Sequence, residues 1–505
     1  MARNLSRRNL LRQAGAAVGG LAASDLLAAC ALPAPPDAAA TRASVGAAAP
    51  RHADVSSTRA PLLAFPQGFR WGVATSAYQI EGAVRADGRG ASIWDRFSHT
   101  PGKTKYGATG DVACDHYHRW ADDLDLMQRL GVPSYRFSIA WPRVLPNGLG
   151  QVNQKGLDFY RRLAEGLLQR NIRPMATLYH WDLPQTLQDR GGWPARDTAQ
   201  RFASYAEVVF RALGDVVPDW ITLNEPWVVA NVGYRWGGHA PGVTDAMAAA
   251  RARQHLLLAH GLAVQSFRAT RPARGQIGIT LNLSPVYPAT ATVEDRMAAL
   301  LTDGFLNRAY LDPVLRGSDP TDVQVSGEST NSAYDRIPAA DLPTIHAPID
   351  FLGVNYYAPS YVTGPLTAIR TLSGHHATTA MGWEIVPSGL YDLLVRITHD
   401  YGRVPLYVTE NGAAFGDRVG RDGQIDDGER VRFLHDHIAA AHQALQAGVP
   451  LHGYYAWALM DNFEWAEGYT KRFGLVYVDY ATQRRIAKRS ALWYRDVIRY
   501  NGVSA

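Results

Sequence analysis

Apolar residues follow two alternating patterns from about residue 65 to the end of the chain. One pattern is a short apolar run rich in β-branched and aromatic residues, which is typical of a strand covered on both faces. It occurs eight times. The predicted strands are Arg70–Ala74, Ser134–Ala140, Pro174–Tyr179, Trp220–Leu223, Gln276–Leu281, Phe351–Asn355, Leu406–Thr409 and Gly453–Ala458.

The other pattern is the helical one. A single apolar face at spacings of three and four residues joins Phe202, Tyr205, Ala206, Val209, Phe210 and Leu213. A further helix is predicted over Glu429–Gln446, and the polar, proline-bearing stretch Gly317–His346 is expected to be a long surface loop.

Eight strands alternating with helices predict an α/β fold, a single (β/α)₈ TIM barrel with loop insertions. The alternative is an open doubly wound sheet. No G-x-G-x-x-G turn follows the first strand, which weakens that alternative.

The N-terminal segment differs from the rest of the chain. Arg7 and Arg8 precede an apolar, Ala/Gly-rich run, so residues 1–30 resemble a twin-arginine export signal. Leu27-Ala28-Ala29-Cys30 resembles a lipobox with Cys30 as the lipidated residue, and the alternative is ordinary cleavage that discards Cys30. Residues 31–61 are predicted to be a flexible Ala/Pro-rich tether, and residues 62–505 the folded domain. We therefore expect an exported protein, periplasmic or lipid-anchored at the envelope.

The net charge of +5 does not indicate an anionic partner. Residues 1–60 hold seven Arg and three Asp, a charge of +4, which leaves about +1 for the other 445 residues. No nucleic-acid binding is inferred, and membrane attachment is expected only through a lipid on Cys30. The chain has two cysteines, so Cys114 is expected to be unpaired once Cys30 is processed.

Residues just after each strand are the informative ones, because the active site of such a barrel lies at the C-terminal strand ends. Carboxylates, amides and indoles dominate there, which suits a polyhydroxylated ligand with a face for stacking. These positions are Gln79, Glu81, Arg136, Trp141, His180, Trp181, Asn224, Glu225, Asn282, Asn355, Tyr357, Glu410, Asn411, Trp457, Asp461, Glu464 and Trp465.

Two carboxylates stand directly at strand ends. Glu225 follows the fourth predicted strand and Glu410 the seventh, and we expect these strands to face each other across the barrel. Paired carboxylates of this kind are what glycoside hydrolysis needs, one as a proton donor and one as a nucleophile or a base toward water. A lone carboxylate at a strand end is more often structural.

Six motifs in order resemble those of glycoside hydrolase family 1, which contains β-glucosidases and β-galactosidases. Ala458 stands where that family commonly has Ser. The motifs are Ser76–Gly82, Tyr179–Pro184, Thr222–Pro226, Asn355–Tyr357, Thr409–Gly412 and Trp457–Trp465.

The resemblance implies a retaining β-glycosidase, most simply a β-glucosidase, with Glu225 as acid/base and Glu410 as nucleophile. Arg136 and Tyr357 would orient Glu410, and Asn224 would bind the sugar 2-hydroxyl. The other substrate-binding positions it implies are Gln79, His180, Trp181, Asn355, Trp383 on the aglycone side, Trp457 as the stacking floor, Glu464 and Trp465.

No cofactor and no metal are expected. His116 and His118, like His435 and His437, are two residues apart in predicted helices, so their side chains point in different directions. The expected partner is a small β-glycoside or oligosaccharide.

Two other functions compete with this one. A sugar-binding protein that lost catalysis should lack one of the two carboxylates, and both Glu225 and Glu410 are present. A 6-phospho-β-glycosidase would require a site that accepts a phosphate, which Glu464 would repel. The preference among glucose, galactose and fucose, the balance of hydrolysis against transglycosylation, and the oligomeric state stay open.

Overall fold

The computed structural model of this chain describes residues 61–270, 275–323, 336–365 and 369–505. The predicted export signal, Cys30 and all but the last residue of the predicted tether lie outside these ranges.

A closed barrel of parallel strands forms the centre of the described residues. Each strand pairs with the next along the chain, and the last strand closes the ring by pairing with the first, Gly453 opposite Arg70 and Trp457 opposite Ala74. The barrel confirms the predicted fold class. The strands are β1 (Arg70–Ala74), β2 (Ser134–Ser138), β3 (Arg173–Tyr179), β4 (Asp219–Asn224), β5 (Gln276–Asn282), β6 (Phe351–Asn355), β7 (Leu406–Asn411) and β8 (Leu451–Trp457).

Helices cover the outside of the barrel, one principal helix after each strand in the described ranges. In the third of them the buried face includes the six apolar residues predicted from Phe202 to Leu213. The principal helices are α1 (His116–Arg129), α2 (Gln154–Gln169), α3 (Asp197–Leu213), α4 (Ala246–Thr270), α5 (Ala309–Arg316), α6 (Pro387–Tyr401), α7 (Gly428–Gln446) and α8 (Arg489–Tyr500).

Shorter elements build the loops between strands and helices. Short antiparallel pairs join Leu62–Ala64 with Gly502–Ser504 and Val476–Asp479 with Arg484–Ala487. A separate three-stranded sheet consists of Val286–Pro288, Ser360–Thr363 and Arg370–Leu372. The remaining helical segments are Ala77–Ile80, Ala86–Gly88, Ile93–Ser98, Lys105–Gly107, Trp141–Val144, Gln185–Gln188, Pro226–Val228, Val229–Arg235, Val293–Asp303, Gly304–Arg308, Leu342–Ile345 and Trp465–Glu467.

Side chains fill the barrel interior, so it is a packed core with a polar top. Gly72 leaves room for the Tyr455 ring, since a Cβ at residue 72 would lie 2.3 Å from Tyr455 Cδ1. At the N-terminal strand ends the buried Asp219 accepts hydrogen bonds from Arg70 and Arg173 at 2.6–2.9 Å. This ionic layer closes the end opposite the predicted site.

Six of the eight predicted strands have boundaries that differ from the observed ones by one or two residues. The second strand ends at Ser138 rather than Ala140, because Ala140 already caps the helix Trp141–Val144. The seventh extends through Glu410 to Asn411. The described part of Gly317–His346 is not all loop, because Leu342–Ile345 forms a helical turn that places the buried Ile345 against α4.

The histidine pairs serve local hydrogen bonds. His116 Nδ1 bonds the buried Asp123 at 2.8 Å, and His437 Nδ1 lies 2.7 Å from the Phe433 carbonyl. In the described ranges no group of three or more His, Cys, Asp and Glu side chains could hold a metal ion, and no helix has the length and apolar character to cross a membrane. Cys114 is buried and unpaired in this part of the chain.

Candidate active site

Glu225 is held in a sharp turn between β4 and the helical segment Pro226–Val228. Its backbone is left-handed, with φ 50° and ψ 63°, a conformation that a residue with a side chain seldom adopts. The Glu225 amide donates to the Thr280 carbonyl of β5 at 2.9 Å, and Pro226 has the fixed φ that a first helical position needs. The carboxyl group is thereby fixed by the scaffold rather than by a loose loop.

Glu410 lies inside β7 and is 3% exposed. Arg136 Nη1 donates to its Oε1 at 2.6 Å, and the Tyr357 hydroxyl donates to its Oε2 at 2.7 Å. Burial and the nearby carboxylates raise the pKa of Tyr357 well above its usual range, so the phenol keeps the proton that it donates. Both oxygens of Glu410 are therefore oriented by hydrogen-bond donors.

A chain of hydrogen bonds links the two carboxyl groups. Arg136 Nη2 donates to Asn224 Oδ1 at 2.7 Å, Asn355 Nδ2 donates to the same oxygen at 3.1 Å, and Asn355 Nδ2 also donates to Glu225 Oε1 at 2.7 Å. β4 and β7 are three places apart around the ring of eight rather than directly opposite, so the expectation that they face each other was wrong in detail. A network inside the lumen spans the gap.

The electrostatic environments of the two groups differ. Burial and the Glu410 carboxylate raise the pKa of Glu225 to about 8, against the opposing effects of Asn355 and Arg136. Glu225 therefore holds a proton at neutral pH. Glu410 instead has the Arg136 guanidinium in direct contact, at 2.6 Å.

The segment after β8 returns across the top of the barrel. Gln79 Nε2 donates to Asn462 Oδ1 and the Phe463 carbonyl, each at 3.0 Å, and to Glu464 Oε2 at 3.3 Å. Burial, with Glu410 and Glu467 nearby, raises the pKa of Glu464 to about 8. Gln79 and Glu464 thus form one polar corner.

Aromatic rings surround that corner. The His180 ring lies 5.8 Å from the Trp457 ring and 5.8 Å from the Trp465 ring, nearly parallel to both, and Trp181 packs on Trp465 at 4.5 Å. His180 Nε2 is 3.0 Å from Asn224 Nδ2, while its buried Nδ1 has no partner in the residues that the structure describes. Burial and Arg136 hold the pKa of His180 well below its usual range, which leaves the ring neutral.

Trp383 is on the other side of the site, its ring centre 5.1 Å from that of Tyr357 and 6.0 Å from that of Phe473. It is partly exposed, unlike the buried Trp457 and Trp465. The site therefore has a closed aromatic end and a more open one.

Four strand-end residues are turned away from this site. Glu81 pairs with Arg143, Trp141 stacks on Tyr205, and Asn411 bonds Tyr454. Asp461 forms ion pairs with Arg472 and Lys488. Position after a strand selects the correct rim of the barrel but not the direction of a side chain.

Sequence reasoning missed two neighbours of the site. Asn462 accepts the Gln79 amide proton, and His239 packs against Trp94 and Trp181 at 5.3 and 5.5 Å between ring centres. His239 lies in a loop far from any strand end, so only its aromatic neighbours in space reveal it. Asn462 was visible as a polar residue within the Trp457–Trp465 motif.

A closed (β/α)₈ barrel with two buried, hydrogen-bonded carboxyl groups among indoles and amides defines the chain as a glycoside hydrolase. Residues 63–503 match the sequence profile described as glycosyl hydrolase family 1, and the chain belongs to that family. It is therefore a retaining β-glycosidase.

Named relatives agree with the assignment of the chain to this family. The chain is 49% identical to Beta-glucosidase A of Acetivibrio thermocellus, over 87% of this chain and 99% of the relative. It is 52% identical to Thermostable beta-glucosidase B of Thermobispora bispora, over 89% and 93%. The solved structure of a Thermotoga maritima beta-glucosidase in complex with glucoimidazole is similar with a TM-score of 0.84 and 50% identity, covering 88% of this chain and 100% of that one.

Proposed function

We propose that the protein is a retaining β-glucosidase in which Glu410 is the nucleophile and Glu225 the acid/base. The observation that carries this assignment is the contrast between the two buried carboxyl groups. Arg136 and Tyr357 fix both oxygens of Glu410, while Glu225 has a pKa of about 8 and so can donate a proton at neutral pH.

Two displacements follow from this pairing. In the first, Glu410 attacks the anomeric carbon as the bond to the leaving oxygen breaks, and that oxygen takes the proton of Glu225. A glycosyl ester on Glu410 results. In the second, the Glu225 carboxylate takes a proton from water as the water oxygen displaces Glu410, which restores both groups and gives a product with the original β configuration.

The polar corner and the indoles recognise the sugar. Asn224 lies beside Glu225 and serves the 2-hydroxyl, where a hydrogen bond strengthens as the oxocarbenium ion forms. Gln79, His180, Glu464 and Trp465 serve the other hydroxyls, and Trp457 forms the floor. Trp181 and Asn355 complete the substrate site, the first by packing on Trp465 and the second by bonding Glu225.

Trp383 lines the aglycone side, because it is partly exposed and packs on Tyr357 at the open end. The substrate we propose is a small β-glucoside or a β-linked gluco-oligosaccharide. In this proposal Glu464 lies beside the 6-hydroxyl, and a 6-phosphate would bring negative charge into a buried corner, which argues against a phosphorylated glycone.

The experiment that tests this function follows the anomers of released glucose by proton NMR during hydrolysis of 4-nitrophenyl β-glucoside. β-Glucose should appear first and then mutarotate. First appearance of α-glucose would mean inversion and would refute the double displacement. The variant Glu410→Gln should fold with the wild-type unfolding midpoint and lose on the order of 10⁶-fold in kcat, as loss of a nucleophile does in another hydrolase.

Export is a separate proposal. The support is the twin-arginine-like pattern at Arg7 and Arg8 and the lipobox-like Cys30, all in the segment before the family match begins at residue 63. The full-length protein should be found in the envelope membrane fraction, and Cys30→Ala should release it in soluble form. Cytoplasmic retention of wild type, or unchanged partition of Cys30→Ala, would contradict export or lipidation respectively.

A further inference from the structure

Six charged side chains form a cluster that includes Asp461 of the Trp457–Trp465 segment, and five of the six are buried. It has three cations and three anions, so its formal charge is zero. Its members are Lys488, Arg430, Arg472, Asp417, Asp427 and Asp461.

Lys488 is the central member. Its ammonium group is fully buried and lies 2.5 Å from Asp417 Oδ2 and 2.6 Å from Asp461 Oδ1. Asp417 belongs to the segment that follows β7, and Asp461 to the segment that follows β8. One lysine therefore joins the two segments that leave neighbouring strands at the top of the barrel.

Each of these segments also carries part of the site. Asp461 is followed by Asn462, which accepts the Gln79 hydrogen bond, and then by Glu464 and Trp465. On the other side, Asp417 is bound by Arg430, which also donates to the carbonyl of Ala413, three residues after Glu410. The cluster thus lies between the strand end of Glu410 and the segment that holds the sugar.

We propose that Lys488 is a positioning residue for catalysis, which sets the place of the Trp457–Trp465 segment relative to Glu410. This inference rests on the proposed function, since it takes Glu464 to bind the 6-hydroxyl side of the glycone. Without the lysine, the two aspartates repel each other and the segments separate. The sugar contacts of the Trp457–Trp465 segment depend on its distance from Glu410, so they weaken, and they weaken most in the transition state.

Lys488→Met tests this role because the variant keeps each aspartate paired. Asp417 retains two hydrogen bonds from Arg430, at 3.1 and 2.8 Å, and Asp461 retains Arg472 at 2.6 Å and the Gly474 amide at 2.9 Å. The methionine side chain has a similar length and no charge. The double variant Lys488→Met/Asp417→Asn restores neutrality and serves if the single variant unfolds.

The readout is kcat and KM on a pair of substrates, 4-nitrophenyl β-glucoside and its 6-deoxy analogue. On the glucoside, Lys488→Met should lose on the order of 10- to 100-fold in kcat/KM, mainly in kcat, because small displacements of reacting groups cost that much. On the 6-deoxy substrate, which has no 6-hydroxyl for Glu464, the loss should be only about 2- to 5-fold. Lys488→Arg should recover part of the glucoside rate.

The matched control is Arg253→Met. Arg253 is also fully buried and ion-paired, to Asp319, but it lies on α4 and contacts the Ala309 carbonyl at the start of α5. It should lower the unfolding midpoint and leave the substrate ratio unchanged. Equal losses on both substrates in Lys488→Met would overturn the inference while leaving the function intact, whereas absence of wild-type hydrolysis of both would reject the function itself.

Discussion

At the scale of single residues, the site separates two chemically identical side chains by their surroundings. Glu410 has a cation and a phenol as donors, and Glu225 has an amide donor and a neighbouring negative charge. A carboxyl group that can donate a proton and a second one held in place to attack the anomeric carbon are the combination that a retaining mechanism requires.

The acid/base role of Glu225 predicts chemical rescue. Glu225→Ala should retain glycosylation by a substrate with a good leaving group but deglycosylate slowly, since no base activates water. Azide needs no base, so it should raise kcat by about 100- to 1000-fold, within the range that acid–base catalysis contributes, and yield β-glucosyl azide. Absence of that product in NMR or mass spectra would count against the assignment.

The pKa of Glu225 predicts the alkaline limb of activity. Because Glu225 loses its proton near pH 8, kcat/KM for 4-nitrophenyl β-glucoside should fall as the pH rises above that value. With 2,4-dinitrophenyl β-glucoside the leaving group needs no proton, and the limb should vanish. A limb that persists on this substrate and disappears in Glu464→Gln would assign it to Glu464 instead.

The same shifts affect stability. Burial raises the pKa of Glu464 to about 8 from an ordinary value of 4.5, so its contribution to stability is full below about pH 4.5 and is lost as the pH rises through about 8. Glu464→Gln should therefore be more stable than wild type at pH 9, by about 1–2 kcal/mol. Chemical denaturation at pH 6 and pH 9 measures this, and an equal difference at both pH values would contradict it.

At the scale of elements, close backbone approach decides how α4 meets the helical turn Leu342–Ile345. A Cβ added at Gly261 would lie 1.9 Å from the Thr344 carbonyl oxygen. Because this oxygen belongs to the backbone, no side-chain rotation could relieve the clash. Gly in the middle of a helix is usually a weakness, and here it permits the packing.

Gly261→Ala should consequently destabilise the protein, by about 1–3 kcal/mol in the free energy of unfolding. The control is Gly428→Ala in the first turn of α7, where the new Cβ would be 3.4 Å from Arg489 Nη1 and meet nothing closer. That change should be neutral or stabilising by up to about 1 kcal/mol. Urea unfolding of both variants compares them, and a stabilised Gly261→Ala would show that the two helices can separate freely.

At the scale of the whole molecule, structural ion pairs lie at the N-terminal ends of the barrel strands and the active site at the C-terminal ends. Asp219 lies at the start of β4, fully buried, between Arg70 and Arg173. Glu225 is at the other end of the same strand. The ion-paired Asp219 and the reacting Glu225 thus lie at the two ends of one strand, on opposite rims of the barrel.

Asp219→Asn should separate these two properties. Loss of the buried anion leaves two arginines without it, at a cost of about 3–5 kcal/mol. At a temperature where the variant is folded, kcat should stay within about 2-fold of wild type, because the top of the barrel is untouched. A large fall in kcat in the folded variant would show that the two ends are coupled.

The sequence by itself determined the fold and the identity of most side chains at the site. All eight strands were visible because strands covered on both faces are continuously apolar, and Glu225 and Glu410 were visible because they end such strands. The order of strands then placed both on one rim. These properties are local, or follow from connectivity alone.

Only the tertiary structure decided which way side chains point and what surrounds them. Glu81 and Asp461 had the same strand-end positions as the site residues, yet they face Arg143 and Lys488 outside the cleft. The raised pKa of Glu225 and the link from Lys488 to the sugar-binding segment both depend on burial and on charges far away in sequence. Such effects depend on distances across the barrel, which arise only when strands and loops remote in the chain are packed together.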